Sequence, residues 1–304
     1  MQATPCRLTT MNRRTFLSST AATAAIGLSP LPALAQSLDP IEAARRDPNA
    51  FIEYVTSGPG QRRPEQRPFV QHSCHERWQA AFDGHRSLIM APVGSGKSVQ
   101  ALYRTLWEIG RNPEIYVRLV VDTMTWRNNR RLRRRMAAVA ATNERVAEVF
   151  PVLRSLSWVE SPGGLELSLP HAKRPTVDLI YLESNRSFDG DLVLCDGLEC
   201  YSNTFTPYTR QKTWDLFNER IASLDARVIV LGWPRGFHEE SLTERLAASG
   251  EWDVSREVAV SLDEHGTERS LVPHLKSVGD WHAKSRDLGP RTSSVMLGWS
   301  TDRT

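Results

Sequence analysis

The sequence predicts an α/β fold with a mostly parallel central sheet flanked by helices, and three observations carry that expectation. Short apolar runs of strand length recur between residues 87 and 232. The stretches between them have helical periodicity and are long enough to be the crossovers that parallel neighbours require. One run, "LIMAPVGSGKS" (88–98), breaks directly into a glycine-rich turn and a helix start, the local form of a strand–loop–helix unit.

Taken in order, "SLDPIEAARRDPNAFIEYVTS" (37–57) places Ser and Asp before a short helical pattern, and "GPGQRRPEQRP" (58–68) breaks it into a loop. From "HERWQAAF" (75–82) onward the alternation sets in. Strands are predicted at 87–91, 116–122, 164–169, 177–182, 191–195 and 227–232, and helices at 97–109, 127–141, 208–223 and 239–248. Past Trp252 the pattern fades, and "KSRDLGPRTSSVMLGWSTDRT" (284–304) ends the chain without a clear element, as a fragment would. The organisation read from this is a signal-like segment (1–36), a helical lead-in and loop (37–85), a main domain (86–255) and a C-terminal extension (256–304).

Composition excludes several classes. The chain has 304 residues, 40% hydrophobic and 24% charged, which sets aside disordered and fibrous proteins. A net charge of +3 means that any nucleic-acid partner has to be argued from local arginine clusters. Cys6, Cys74, Cys195 and Cys200 are too scattered for a disulfide framework or a zinc site and read as buried thiols. No segment has the length and apolarity of a stable membrane span. The N-terminus "MNRRTFLSSTAATAAIGLSPLPALAQS" (11–37) has twin arginines, Arg13 and Arg14, a weakly apolar stretch and a small-residue Ala33-Leu34-Ala35 site, the three parts of a twin-arginine export signal.

The chemistry concentrates in "APVGSGKS" (91–98). Gly94 and Gly96 let backbone N–H groups turn inward around a phosphate, and a helix starting at Lys97 aims its positive end at the same point. Ala91, Gly94, Ser95, Gly96, Lys97 and Ser98 are therefore the candidate ATP-binding residues, a Walker A loop with Ala91 in place of its first glycine. Lys97 would bridge the β- and γ-phosphates, and the Ser98 hydroxyl would ligate Mg²⁺. A glycine turn closing an ordinary strand–helix unit would show similar letters. Magnesium also needs a carboxylate at the C-terminal end of a neighbouring strand, and "DLVLCDGLEC" (191–200) supplies Asp196, with Glu199 the nearest group to polarise the attacking water. Any buried strand ending in Asp would match that second motif. In "TWRNNRRLRRRMAAVAA" (125–141), Arg127, Arg130, Arg131 and Arg134 share one helix side, while Leu132, Met136, Val139 and Ala140 share the other. The stripe would suit a DNA backbone, an arginine finger for a neighbouring subunit, or plain solvent.

Several motifs in order resemble the ATPase half of the phage large terminase subunit, the DNA-packaging motor. "HERWQAAF" is similar to that family's H-x-x-W lead-in, with His75 and Trp78. "LIMAPVGSGKS" is similar to its phosphate loop, "TNERVAEVFP" (142–151) to the segment after its second helix, and "DGDLVLCDGLE" (189–199) to its acidic strand. "RVIVLGWPRGFHEESLTERL" (227–246) resembles its later strand and helix start, with Arg235, His238, Glu239 and Glu240. The likeness runs over about residues 45 to 255. It implies a RecA-like P-loop NTPase with ATP and Mg as cofactors. It also implies a prophage-type, cytoplasmic motor working on double-stranded DNA as a homo-oligomeric ring, with a portal and a small terminase subunit as partners.

Three positions depart from the family pattern. Val93 stands where a basic residue is common, Gly197 where a second acidic residue follows the strand Asp, and Gly232-Trp233 where the later strand usually ends in Thr. The chain also stops before a nuclease domain could fold, so no nuclease activity is expected. Two other readings stay open: a helicase-like nucleic-acid-binding ATPase, and an exported protein whose altered P-loop fold serves as a binding module, which the twin-arginine-like segment favours.

Overall fold

The computed structural model describes residues 39–57, 69–122, 126–161, 164–170, 172–236 and 238–298. The twin-arginine-like segment, Cys6 and the loop at 58–68 lie outside them. Two short helices lead in, α1 (Pro40–Arg46) and α2 (Pro48–Thr56). Asp39 and Asp47 cap them, and each has proline in its first turn, where a missing N–H leaves no bond unmade. Next come α3 (Ser73–Ala81), β1 (Arg86–Met90), the loop 91–96 and α4 (Lys97–Arg111). β2 (Val117–Val121), α5 (Trp126–Thr142), α6 (Glu144–Val149) and a 3-10 turn (Pro151–Ser155) lead to the hairpin of β3 (Ser157–Ser161) and β4 (Gly164–Ser168). The main body closes with β5 (Val177–Tyr181), β6 (Leu192–Asp196), α7 (Tyr201–Thr204), α8 (Pro207–Phe217), β7 (Arg227–Gly232), α9 (Leu242–Ser249) and β8 (Asp253–Arg256).

The main sheet has the order β3-β4-β5-β2-β6-β7-β1-β8, and β4 alone of these strands runs against the rest. Parallel strands are covered on both faces, which is why β2, β5 and β6 read as near-continuous apolar runs. Alternate residues feed two cores. Ile89, Leu119, Leu179, Leu194 and Ile229 face the side packed by α1 to α5, with Trp78, Leu102 and Leu106. Leu88, Met90, Val120, Ile180, Val193 and Val230 face the side of α8 and α9, with Phe217, Leu242 and Leu246. The predicted α/β class, with its mostly parallel sheet flanked by helices, is the fold observed.

Three expectations are corrected. The helix predicted at 239–248 starts at Leu242, because Ser241 takes the extended backbone of an N-cap and its amide closes a turn onto the His238 carbonyl. The helix predicted to 223 ends at Phe217 and passes into a π-type turn, Asn218–Ala222. Residues 253–298 are structured. β8 pairs with β1, a small hairpin of β9 (Val260–Leu262) and β10 (Glu268–Ser270) follows, and α10 (Val278–Leu288) and α11 (Pro290–Leu297) complete it. These strands are short and largely exposed, so no apolar run marks them, yet Ala259, Val272, Trp281 and Leu297 belong to the first core. Among the described residues no helix is long and apolar enough to cross a membrane.

Candidate functional site

β1 ends at Met90 beneath the loop 91–96. Gly94 and Gly96 have φ of +84° and +100°, the left-handed region that side-chain-bearing residues avoid. Ser95 closes the turn, its amide and hydroxyl both donating to the Pro92 carbonyl at 3.2 and 2.7 Å. Among the described residues, no acceptor takes the amides of Gly94, Gly96 and Lys97. Three donors grouped at a helix N-terminus form a cradle that fits an anion such as a phosphate. The Lys97 ammonium donates to the carbonyls of Ala91 and Pro92, the latter at 3.0 Å. Burial pushes it down to about 8, against the pull of Asp196.

Ser98 and Asp196, which the sequence places 98 positions apart, meet here: Ser98 Oγ donates to Asp196 Oδ2 at 2.7 Å. Asp196, expected on a strand neighbouring β1, lies instead on β6, one strand further on. β7 stands between them, and the register sets Asp196 opposite Leu231 and Leu231 opposite Ile89, so all three point to the α4 side. Burial raises the Asp196 carboxyl, while the Ser98 hydroxyl and the Lys97 charge hold it down.

Glu199 lines the same cavity as Lys97, Asp196 and Trp233. Gly197, with φ of +70°, turns the chain after Asp196 at a point where a side chain would be strained, and this sends Glu199 toward the start of α9. There Glu199 Oε2 accepts from the Thr243 hydroxyl, while Oε1 is buried and has no hydrogen-bond partner among the described residues. Burial raises the Glu199 carboxyl, and the Thr243 hydroxyl and the amides of Thr243 and Leu242 oppose that. Gly232 is what lets Thr243 approach: a Cβ on Gly232 would stand 2.8 Å from Thr243 Cγ2. The site thus has a threonine hydroxyl beside its glutamate, delivered from α9 instead of from the end of β7. Sequence reasoning missed it because nothing local marks Thr243.

His75 is fully buried, and its ring Nε2 lies 2.9 Å from the Ser95 carbonyl. Its Nδ1 accepts from the His72 amide at 3.2 Å, so the ring is neutral with the proton on Nε2, and it braces the loop from behind. Burial pushes its pKa down to about 4. Lys276, also unforeseen, reaches the loop from the C-terminal extension. In α5, Arg134 is exposed, while Met136 and Ala140 are buried and Val139 packs on the core. The side chains of Arg127, Arg130, Arg131 and Leu132 lie outside the described residues. Glu240 accepts from Arg210 at 3.0 Å, and His238 Nδ1 accepts from the Glu240 amide, so these two residues organise the approach to α9. Cys74 and Cys195 are buried, and burial pushes the Cys74 thiol up to about 12.

A glycine cradle between strand and helix, with an acidic strand ending two strands away on the same side of a mostly parallel sheet, defines a candidate anion-binding site in an α/β fold. No protein-family model matches the chain, and no curated protein matches it in sequence. Among solved structures, it is similar to the HK97 bacteriophage large terminase (13% identity, TM-score 0.42), over 72% of this chain and 44% of that one. It is also similar to the large terminase ATPase domain of Thermus phage P74-26. An arginine-to-alanine mutant of that domain gives 15% identity and a TM-score of 0.46, over 76% of this chain and 94% of the domain. Another structure of the domain gives 18% and 0.34, over 57% and 68%. The chain thus spans less than half of the HK97 protein, and likeness of this degree assigns it neither activity nor partner.

Proposed function

We propose that the chain binds ATP with Mg²⁺ at residues 91–98 and hydrolyses it, as a terminase-like ATPase that moves double-stranded DNA within a homo-oligomeric ring. The observation that carries the reading is the 2.7 Å bond between Ser98 Oγ and Asp196 Oδ2 beside Lys97 and the cradle. A hydroxyl and a carboxylate joined at a helix N-terminus, next to a lysine, suit a magnesium–phosphate site. Bound Mg²⁺ would neutralise charge on the terminal phosphates. The chain's own residues would then divide the work. The free amides hold the phosphates, Lys97 exchanges its loop carbonyls for phosphate oxygens, and Glu199 orients the attacking water after leaving Thr243.

Calorimetric titration and phosphate release test this. Lys97→Ala is expected to lower affinity or turnover by more than about a hundredfold, and Glu199→Gln to keep binding while losing turnover. A folded wild-type chain that binds no nucleotide at millimolar concentration overturns the reading. DNA as the substrate is supported by the order of the motifs and the exposed Arg134. DNA-stimulated turnover that falls in Arg134→Ala is the expected result, with a ring, a portal and a small terminase subunit as the partners, and the cytoplasm, where ATP is, as the compartment. The hold of Thr243 on Glu199 favours a second reading, a nucleotide-binding module without turnover, for which wild type and Glu199→Gln would bind alike and both stay silent.

A further inference from the structure

The phosphate loop has Val93 at the position where a charge would serve a triphosphate, but a cation reaches the loop from elsewhere. A Cβ placed on Gly94 would lie 3.1 Å from Lys276 Cε and 3.6 Å from its Nζ, so the Lys276 ammonium stands against the outer turn of the loop. That placement is braced. Ser270 Oγ donates to the Lys276 carbonyl at 2.6 Å, the Lys276 amide donates to the Val272 carbonyl at 2.9 Å, and the Nζ lies 4.9 Å from the centre of the Trp281 ring. Trp281 is itself fully buried, with its Nε1 donating to Ser270 Oγ at 3.0 Å. The Asp280 carboxylate is engaged by the Ser277 hydroxyl and amide at 2.7 and 2.8 Å, and these bonds, ahead of the Lys276 charge, hold its pKa down. The loop is tied to the same extension, because the Val93 amide donates to the Met296 carbonyl at 3.0 Å.

We propose that Lys276 is a phosphate-binding residue of this site, supplied by the C-terminal extension and directed at the terminal phosphate of a nucleoside triphosphate. The inference rests on the nucleotide reading above. Gly94 supplies one amide of the cradle and Lys97, which would bridge the β- and γ-phosphates, closes its other side, so an ammonium against Gly94 would stand beside the same terminal phosphates. An ammonium there meets the charge that a triphosphate has and a diphosphate lacks. With its ammonium already placed against the Trp281 ring, it gives up little rotamer freedom on binding.

The test is titration of the full chain with MgADP and with a magnesium complex of the β,γ-imido analogue of ATP, for wild type, Lys276→Ala and Lys276→Arg. Lys276→Ala is expected to weaken the analogue roughly tenfold or more, the scale of a charged hydrogen bond, and to change ADP by less than about twofold. Lys276→Arg restores most of the loss. If wild type binds both nucleotides and Lys276→Ala changes neither, or weakens both equally, this assignment is overturned while the nucleotide site stands. A wild type that binds neither, with its fold intact by circular dichroism, overturns both.

Discussion

The contact between Thr243 and Glu199 sets how the proposed water-orienting group titrates. Burial raises the carboxyl and the Thr243 hydroxyl lowers it. Thr243→Val keeps the methyl group that fills the space beside Gly232 but removes the donor. A carboxyl that loses this donor, with the amides of Thr243 and Leu242 still in place, ionises later as pH rises, so the acid limb of the kcat profile is expected to move to higher pH and turnover on that limb to fall several-fold. Thr243→Ser should return the profile toward wild type. An unchanged limb in Thr243→Val would show that the hydroxyl does not govern the ionisation.

At the scale of elements, α4 has the phosphate loop at its head and a close approach at its tail. A Cβ on Gly110 would run into the Phe150 ring, whose place follows α6. In a free helix Gly→Ala gains about 1 kcal/mol; here Gly110→Ala is expected to lose roughly 1–3 kcal/mol by overpacking, read as a lower urea midpoint. The same contrast between local and distant causes decides what the sequence discloses. β1, β2, β5, β6 and β7 are legible because strands covered on both faces are apolar along most of their length. Ser98 and Asp196 are legible because each sits at an element boundary whose chemistry shows in its own few residues. Thr243 and Lys276 carry no such mark: one depends on a missing side chain at Gly232, the other on an extension whose β8, β9 and β10 are too exposed to read as strands. The separation of Asp196 from the loop by β7 was hidden for a related reason, since strand order depends on how crossovers return to the sheet.

Across the whole molecule, the lead-in helices and the extension meet the loop from two sides. His75 is the lead-in's contribution, and its low pKa has a consequence for stability. Above pH 6.5 the ring is neutral both folded and unfolded. As pH falls from 6.5 toward 4, the unfolded chain takes up a proton that the folded ring refuses, so stability falls, by about 2 kcal/mol at pH 5. His72, against the His75 ring, is lowered too and adds in the same direction, while Asp196 and Glu199, raised by burial, act oppositely. Comparing wild type with His75→Gln by urea unfolding at pH 7 and pH 5 isolates the one ring: the variant should lose less between the two. Equal losses would place the His75 proton elsewhere.

The bond from the Val93 amide to the Met296 carbonyl joins the end of α11 to the third residue of the loop. Mechanically it is a tether. A pull on α11 arrives at Val93 as torsion of the backbone next to Gly94, and a rearrangement of the loop is transmitted outward along the same line.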